Sequence, residues 1–214
     1  MTVDDCCSKK GETLSRLAQG DQRRVLVIVM IINIVMFFAE FGAGVVAQST
    51  ALMADSVDML GDAFVYALSL YALARGARWE AGAALAKGLV ILAFGAGIII
   101  DLMWKVQNGV QPSSGVMMAM SSVALVANGI CLSLLWRFRT LNVNMSSTFE
   151  CSRNDVVSNI GVLVAGGLVA FFASPWPDIF VAAVIALVFL RSAFNVLTSA
   201  WPVFRGQPGK VQFD

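Results

Sequence analysis

Residues 25–47 read VLVIVMIINIVMFFAEFGAGVVA, and the only ionisable side chain among them is Glu40. A helix crossing a bilayer needs about 20 mostly apolar residues, so this stretch predicts a membrane span. Five more stretches of the same kind follow, at about 51–74, 84–104, 115–136, 148–173 and 178–200. The expected fold is therefore an all-α membrane protein of six transmembrane helices. A soluble helical bundle would need long polar faces that these stretches lack.

Composition agrees. Of 214 residues, 58% are hydrophobic and 14% charged, against about 45–50% and about 25% in a soluble domain. With 15 Lys+Arg and 14 Asp+Glu, the net charge of +1 gives no footprint for nucleic acid. The chain has no histidine, which excludes Ser-His-Asp and Cys-His nucleophiles and any histidine-ligated metal. Four cysteines in a chain of this length are not a disulfide framework.

Positive charges set the expected orientation. Lys9, Lys10, Arg16, Arg23 and Arg24 precede the first span, and Arg75, Arg78 and Lys87 sit around the second connection. Arg137 and Arg139 open the fourth connection, and Arg205 and Lys210 follow the last span. All lie on one side, whereas the other receives only Lys105, so both termini are expected to be cytoplasmic. Residues 1–24 read as a polar cytoplasmic tail with no apolar signal-peptide core, 25–200 as one transport domain and 201–214 as a short tail. No stretch outside the spans is long enough for a second domain.

Charges inside spans are costly and mark ion or substrate paths. In span two, Asp55, Asp58 and Asp62 are three and four residues apart, so they share a helical face. Like charges this close repel unless a cation binds or protons neutralise them. Asp55 also reads as a cap near the outer interface. In span five, Cys151 and Asp155 are four apart and share a face. A lone buried cysteine is normally packing, but four residues before a buried Asp it becomes a ligand candidate. Asp58, Asp62, Cys151 and Asp155 offer three oxygens and one sulfur. That set suits zinc and admits cadmium, whereas magnesium and calcium prefer oxygen alone.

At 1.5 Å per residue, straight upright helices would hold Asp58 and Asp155 at different depths. Tilt, a kink near Gly166-Gly167 or an outward extension of span five would bring them level. Asn33, Glu40 and Gly44 fall on one face of span one, where Glu40 is either a proton-path residue or a structural hydrogen-bond partner. Asp101 is placed to pair with Lys105, and Asn128 and Asn159 to hydrogen-bond between helices. Gly88, Gly95 and Gly97 allow close helix contact. Cys6 and Cys7 are adjacent thiols for metal capture, or part of a tail without a role.

The stretch from Gln48 to Asp62 resembles the second helix of the cation diffusion facilitators, Ser-x-Ala-Leu-x-Ala-Asp-x-x-[His/Asp]-Met-Leu-x-Asp. Cys151-x-x-x-Asp155 followed by Asn159-Ile160-Gly161-Val162 stands where that family's fifth helix carries His/Asp-x-x-x-Asp. Weaker likenesses lie at Glu40, at Asp101 before Trp104-Lys105, at Asn128 and at Pro177-Asp178. The resemblance runs from about residue 25 to 200. It implies a six-helix metal/proton antiporter, commonly a homodimer, with its transport site at Asp58, Asp62, Cys151 and Asp155. Asp55, Glu40, Asn159 and Asp101 stand as candidates for secondary or proton-path roles.

Two features depart from that family. No counterpart of its common C-terminal cytoplasmic domain is expected within these residues, and its site histidines are replaced by Asp58 and Cys151. The protons to be exchanged must then ride on carboxyls and a thiol. The expected function is export of zinc, and of cadmium, from the cytoplasm across a bacterial inner membrane, with no prosthetic group and no enzymatic activity. The expected partners are a divalent metal ion, protons, the lipid bilayer and a second copy of the chain. Alternatives are a cobalt, nickel or iron(II) exporter, a non-transporting metal sensor or partner subunit, and an intramembrane aspartyl enzyme. The i,i+4 spacing of the Asp residues and the lack of a Gly-x-Gly-Asp stretch favour ligation over an aspartyl dyad.

Overall fold

The computed structural model describes the backbone of residues 3–71, 77–139 and 143–205, and most side chains from Gly20 to Arg205. The side chains of Cys6 and Cys7 lie outside the described residues. Six helices follow one another: α1 (Val3–Ala47), α2 (Thr50–Tyr71), α3 (Ala77–Asn108), α4 (Ser114–Trp136), α5 (Val143–Phe172) and α6 (Trp176–Phe204). No strand occurs among the described residues. With six antiparallel helices and short turns, the first and last described residues lie at one end of the bundle. The α1–α2, α3–α4 and α5–α6 turns lie at the far end.

Two boundaries differ from expectation. The expected polar tail 1–24 is helical from Val3 and continuous with the first span. It contains no proline, so nothing breaks the backbone ladder ahead of the apolar run. The tail expected from residue 201 begins later, because α6 runs on to Phe204. Pro202 falls in its last turn, where the Arg205 amide still reaches the Trp201 carbonyl at 3.2 Å.

Among the described residues, five helices carry stretches long and apolar enough to cross a membrane: Gly20–Ala47, Ala84–Asn108, Ser114–Trp136, Thr148–Phe172 and Trp176–Phe204. Each turns large apolar side chains outward, among them Phe38, Ile100, Val126, Phe171 and Phe180. Exposed tryptophans mark both ends, with Trp104 and Trp176 at the far end and Trp136 and Trp201 at the terminal end, as in the aromatic belts of membrane interfaces. At the terminal end, the guanidinium of Arg139 lies 3.7 Å from the centre of the Trp136 ring and that of Arg205 4.7 Å from Trp201.

The exception is α2. Every 18-residue window within it contains Asp55, Asp58 and Asp62, too many charges for a lipid-facing helix. The fold solves this by enclosure: α2 packs against α1, α3, α5 and α6, and Leu52, Val57, Met59 and Tyr66 are fully buried. Close approach of α1 depends on Gly44, where a Cβ would lie 2.7 Å from Met53 Cγ and 3.0 Å from the Met53 amide nitrogen. Gly88 and Gly95 of α3 likewise seat Leu197 and Leu190 of α6, whereas Gly97 touches nothing within 4 Å.

Candidate metal centre

Oxygens of Asp58, Asp62 and Asp155 lie within 4.8 Å of one another. Asp62 and Asp155 are buried and Asp58 is half-buried. Two come from consecutive turns of α2 and one from α5. Asp155 is at hydrogen-bonding reach of both Asp58 and Asp62, and one of its own oxygens has no hydrogen-bond partner. Tyr66, one turn beyond Asp62, donates to the Asp62 carboxylate at 2.9 Å. Ligand atoms on a tetrahedral zinc at about 2.0–2.2 Å stand about 3.3–3.6 Å apart. The three carboxylates would need to draw in by no more than about 1.5 Å to hold such an ion.

Cys151 sits one turn before Asp155 on α5. Its sulfur stands outside the 4.8 Å carboxylate group but faces Asp62 and lines the same cavity. It is a free thiol. The cavity, of about 390 Å³, is bounded by α2, α3, α5 and α6. Its lining begins at Asp58 on α2 and extends toward Val65, with Lys87 on α3, Asn154 on α5 and Ser192 on α6. All of these lie in the half of the bundle nearer the termini.

The depth difference between Asp58 and Asp155 is removed by sinking the α1–α2 turn. Ser49 and Thr50 are fully buried, and Ala51 and Leu52 pack in one cluster with Val162, Ala165 and Val169. The last turns of α5 therefore rise past the start of α2, and the carboxylates meet.

Asp55 is no interfacial cap. It is buried, accepts a hydrogen bond from Ser158 and faces the carboxyl of Glu40 on α1. No donor reaches either Glu40 oxygen or the second Asp55 oxygen. Two buried carboxyls in contact need a shared proton or a cation between them. Asn159 is buried, but its amide donates to the Asp155 carbonyl of its own helix at 2.7 Å and not between helices as expected. Asp101 stands apart, in an ion pair with Lys105 at 2.6 Å.

The far end is closed by a polar clamp. Asp178 of α6 accepts from the Ser49 hydroxyl at 2.6 Å and from the Thr50 and Ala51 amides at 2.9 and 3.2 Å. Ser49 in turn caps the Leu52 amide at 3.2 Å, so the exposed donors that begin α2 are satisfied from α6 and from the turn itself. The Thr50 hydroxyl donates to Asp101 at 2.7 Å and accepts from Lys105 at 3.0 Å, which ties in α3.

The profile of the cation efflux transmembrane domain matches residues 26–203. The chain belongs to the cation efflux family. Two relatives are both named cadmium, cobalt and zinc/H(+)-K(+) antiporter. The Bacillus subtilis (strain 168) protein is 25% identical over 195 residues, covering 83% of this chain and 62% of the relative. The Bacillus velezensis protein is 24% identical over 209 residues, covering 91% and 67%. This cation efflux protein thus spans about two thirds of the length of these relatives.

Sequence reasoning leaves one member of the site open: Lys87, near the start of the third apolar run, reads either as a partner in an inner-gate salt bridge or as an anchoring lysine. It lies within α3, 6% exposed, on the wall of the carboxylate cavity. A lysine near the start of an apolar run reads as an interfacial anchor, and only the length of α3 ahead of it moves Lys87 inward. The Asp62–Tyr66 bond did have a signal, a four-residue spacing on one helix face.

Proposed function

We propose that this protein exports a divalent metal ion, zinc and also cadmium, from the cytoplasm in exchange for protons. The carrying observation is the convergence of Asp58, Asp62 and Asp155 from two helices to within 4.8 Å, with Cys151 against Asp62. Hard carboxylates alone would suit magnesium or calcium, whereas a thiol at the rim favours softer ions. The family and the printed names of the two Bacillus relatives support metal and proton as the exchanged partners. Cobalt is the alternative cargo on this reading, because both relatives are named for it.

Carboxylate and thiolate must be deprotonated to bind metal, so loading releases protons and protonation ejects the ion. Metal affinity should therefore rise with pH. The terminal end is read as cytoplasmic, in line with the arginines gathered there. The cavity then belongs to a metal-loading state, and the clamp around Asp178 to a closed outer side. Alternating access would open that side and close the cavity. The Glu40–Asp55 pair is read as the proton-holding site, Asn159 as a secondary residue on α5, and the functional assembly as a homodimer in a bacterial inner membrane.

Proteoliposomes with an imposed pH gradient test the reading. Zinc, cadmium and cobalt should each be followed by a luminal fluorescent reporter. Asp62→Ala and Asp155→Ala are expected to abolish transport, and Cys151→Ser to lower the preference for cadmium over zinc. Parental transport by Asp62→Ala would refute the assigned site.

A further inference from the structure

The carboxylate site faces an internal cation. Lys87 approaches from α3, with its stem beside Gly61, where a Cβ would stand 3.9 Å from Lys87 Cε and 3.2 Å from Ile91 Cδ1. The ammonium is an electrostatic neighbour of Asp58, Asp62 and Cys151. It shares their cavity wall, yet among the described residues it has no direct ion pair. The ion pairs among the described residues are Lys105–Asp101 and Arg153–Glu150. A buried lysine is expensive unless opposite charge compensates it, and the acidic cluster is the compensation on offer. The chain has no histidine, so no imidazolium can supply positive charge at this point.

We propose that Lys87 is a tethered counter-cation: its ammonium balances the Asp58, Asp62 and Asp155 carboxylates while the site is empty and yields electrostatically to a divalent ion as it loads. This rests on the metal-transport reading above. Three converging carboxylates with no balancing charge would bind a divalent ion tightly and release it slowly. A fixed positive charge on the cavity wall weakens the loaded state relative to the empty one, which sets affinity and speeds release. Lys87 is on this account a tuning residue and not a ligand, and metal affinity separates the two roles. Loss of a ligand weakens binding, whereas loss of a competing charge strengthens it.

The test uses the purified full chain in detergent, titrated calorimetrically with zinc or cadmium alone, and reconstituted for transport. Lys87→Met keeps the apolar stem and removes the charge. It is expected to bind about tenfold tighter or more, to show a larger metal-induced rise in Tm, and to turn over more slowly with a lower KM. Lys87→Arg keeps the charge and is expected to stay within about threefold of the parent in affinity. If Lys87→Met needs metal in the buffer to fold and is unfolded by a chelator that the parent survives, the proposal gains support. Unchanged or weaker binding by Lys87→Met, or its failure to fold at saturating metal, would overturn the proposal alone. If the parent binds no metal, the transport reading fails and takes this inference with it.

Discussion

Asp178 on α6 and Ser49 at the head of α2 are 129 residues apart in the chain and joined at 2.6 Å. The same carboxylate receives the Thr50 and Ala51 amides, so one side chain terminates a helix to which it does not belong. Asp178→Ala would leave two buried amides and a hydroxyl without an acceptor. The expected cost is about 2–3 kcal/mol, read as a lower midpoint in thermal unfolding of detergent-solubilised protein. Asp178→Asn retains one acceptor and should lose about half as much.

The Asp101–Lys105 pair is asymmetric, with side-chain exposures of 26% for Asp101 and 4% for Lys105. Removing one partner leaves the other charge where it stands. Asp101→Ala strands a buried ammonium and should destabilise by about 3 kcal/mol. Lys105→Met strands a carboxylate that water can reach and should cost about 1 kcal/mol. Equal losses in chemical unfolding would mean that the pair is open to solvent on both sides.

If Asp155 is a metal ligand as proposed, function and stability oppose each other there. The metal-free protein holds three carboxylates within 4.8 Å, and replacing one by an amide removes two like-charge contacts. Asp155→Asn should raise the metal-free Tm by about 2–4 °C and abolish both transport and the metal-induced rise. A lower metal-free Tm would show that Asp155 is held mainly by favourable hydrogen bonds.

Helix contacts allow a paired comparison. A methyl at Gly44 would meet the Met53 backbone, which cannot swing aside, whereas one at Gly97 meets nothing within 4 Å. Gly44→Ala should destabilise by about 1–3 kcal/mol. Gly97→Ala should be neutral or stabilise by up to about 1 kcal/mol through helix propensity. Parallel thermal melts of the two variants decide this.

Most of the fold was readable because apolar run length is a one-dimensional property. The turns after Ala47, Asn108 and Phe172 fall where Gln48-Ser49, Gly109 and Ser174-Pro175 interrupt the apolar runs. Spacing likewise placed Asp58 and Asp62 on one face and Cys151 beside Asp155. Depth was not readable. The sequence does not say that the turn at Ser49 is sunk into the bundle, because the acceptor that permits this is on α6. Lys87 stayed ambiguous for a related reason: charge near a span end looks the same whether the helix ends there or begins two turns earlier. Asp55 was ambiguous until Glu40, on another helix, was found facing it.

The enclosure of α2 has a consequence for how the protein is made. An Asp at the centre of a helix costs about 2.5–3.5 kcal/mol at the insertion machinery, and α2 carries three. It cannot be left facing lipid as a separate segment when it emerges from the ribosome. Pairing with α1 as a hairpin covers Asp55 alone, against Glu40, and leaves Asp58 and Asp62 waiting for α5. The helix must then stay beside the insertase until α3, α5 and α6 have been synthesised. Biogenesis therefore depends on residues as distant as Asp178, and a defect at the last helix would appear first as failed membrane integration of the second.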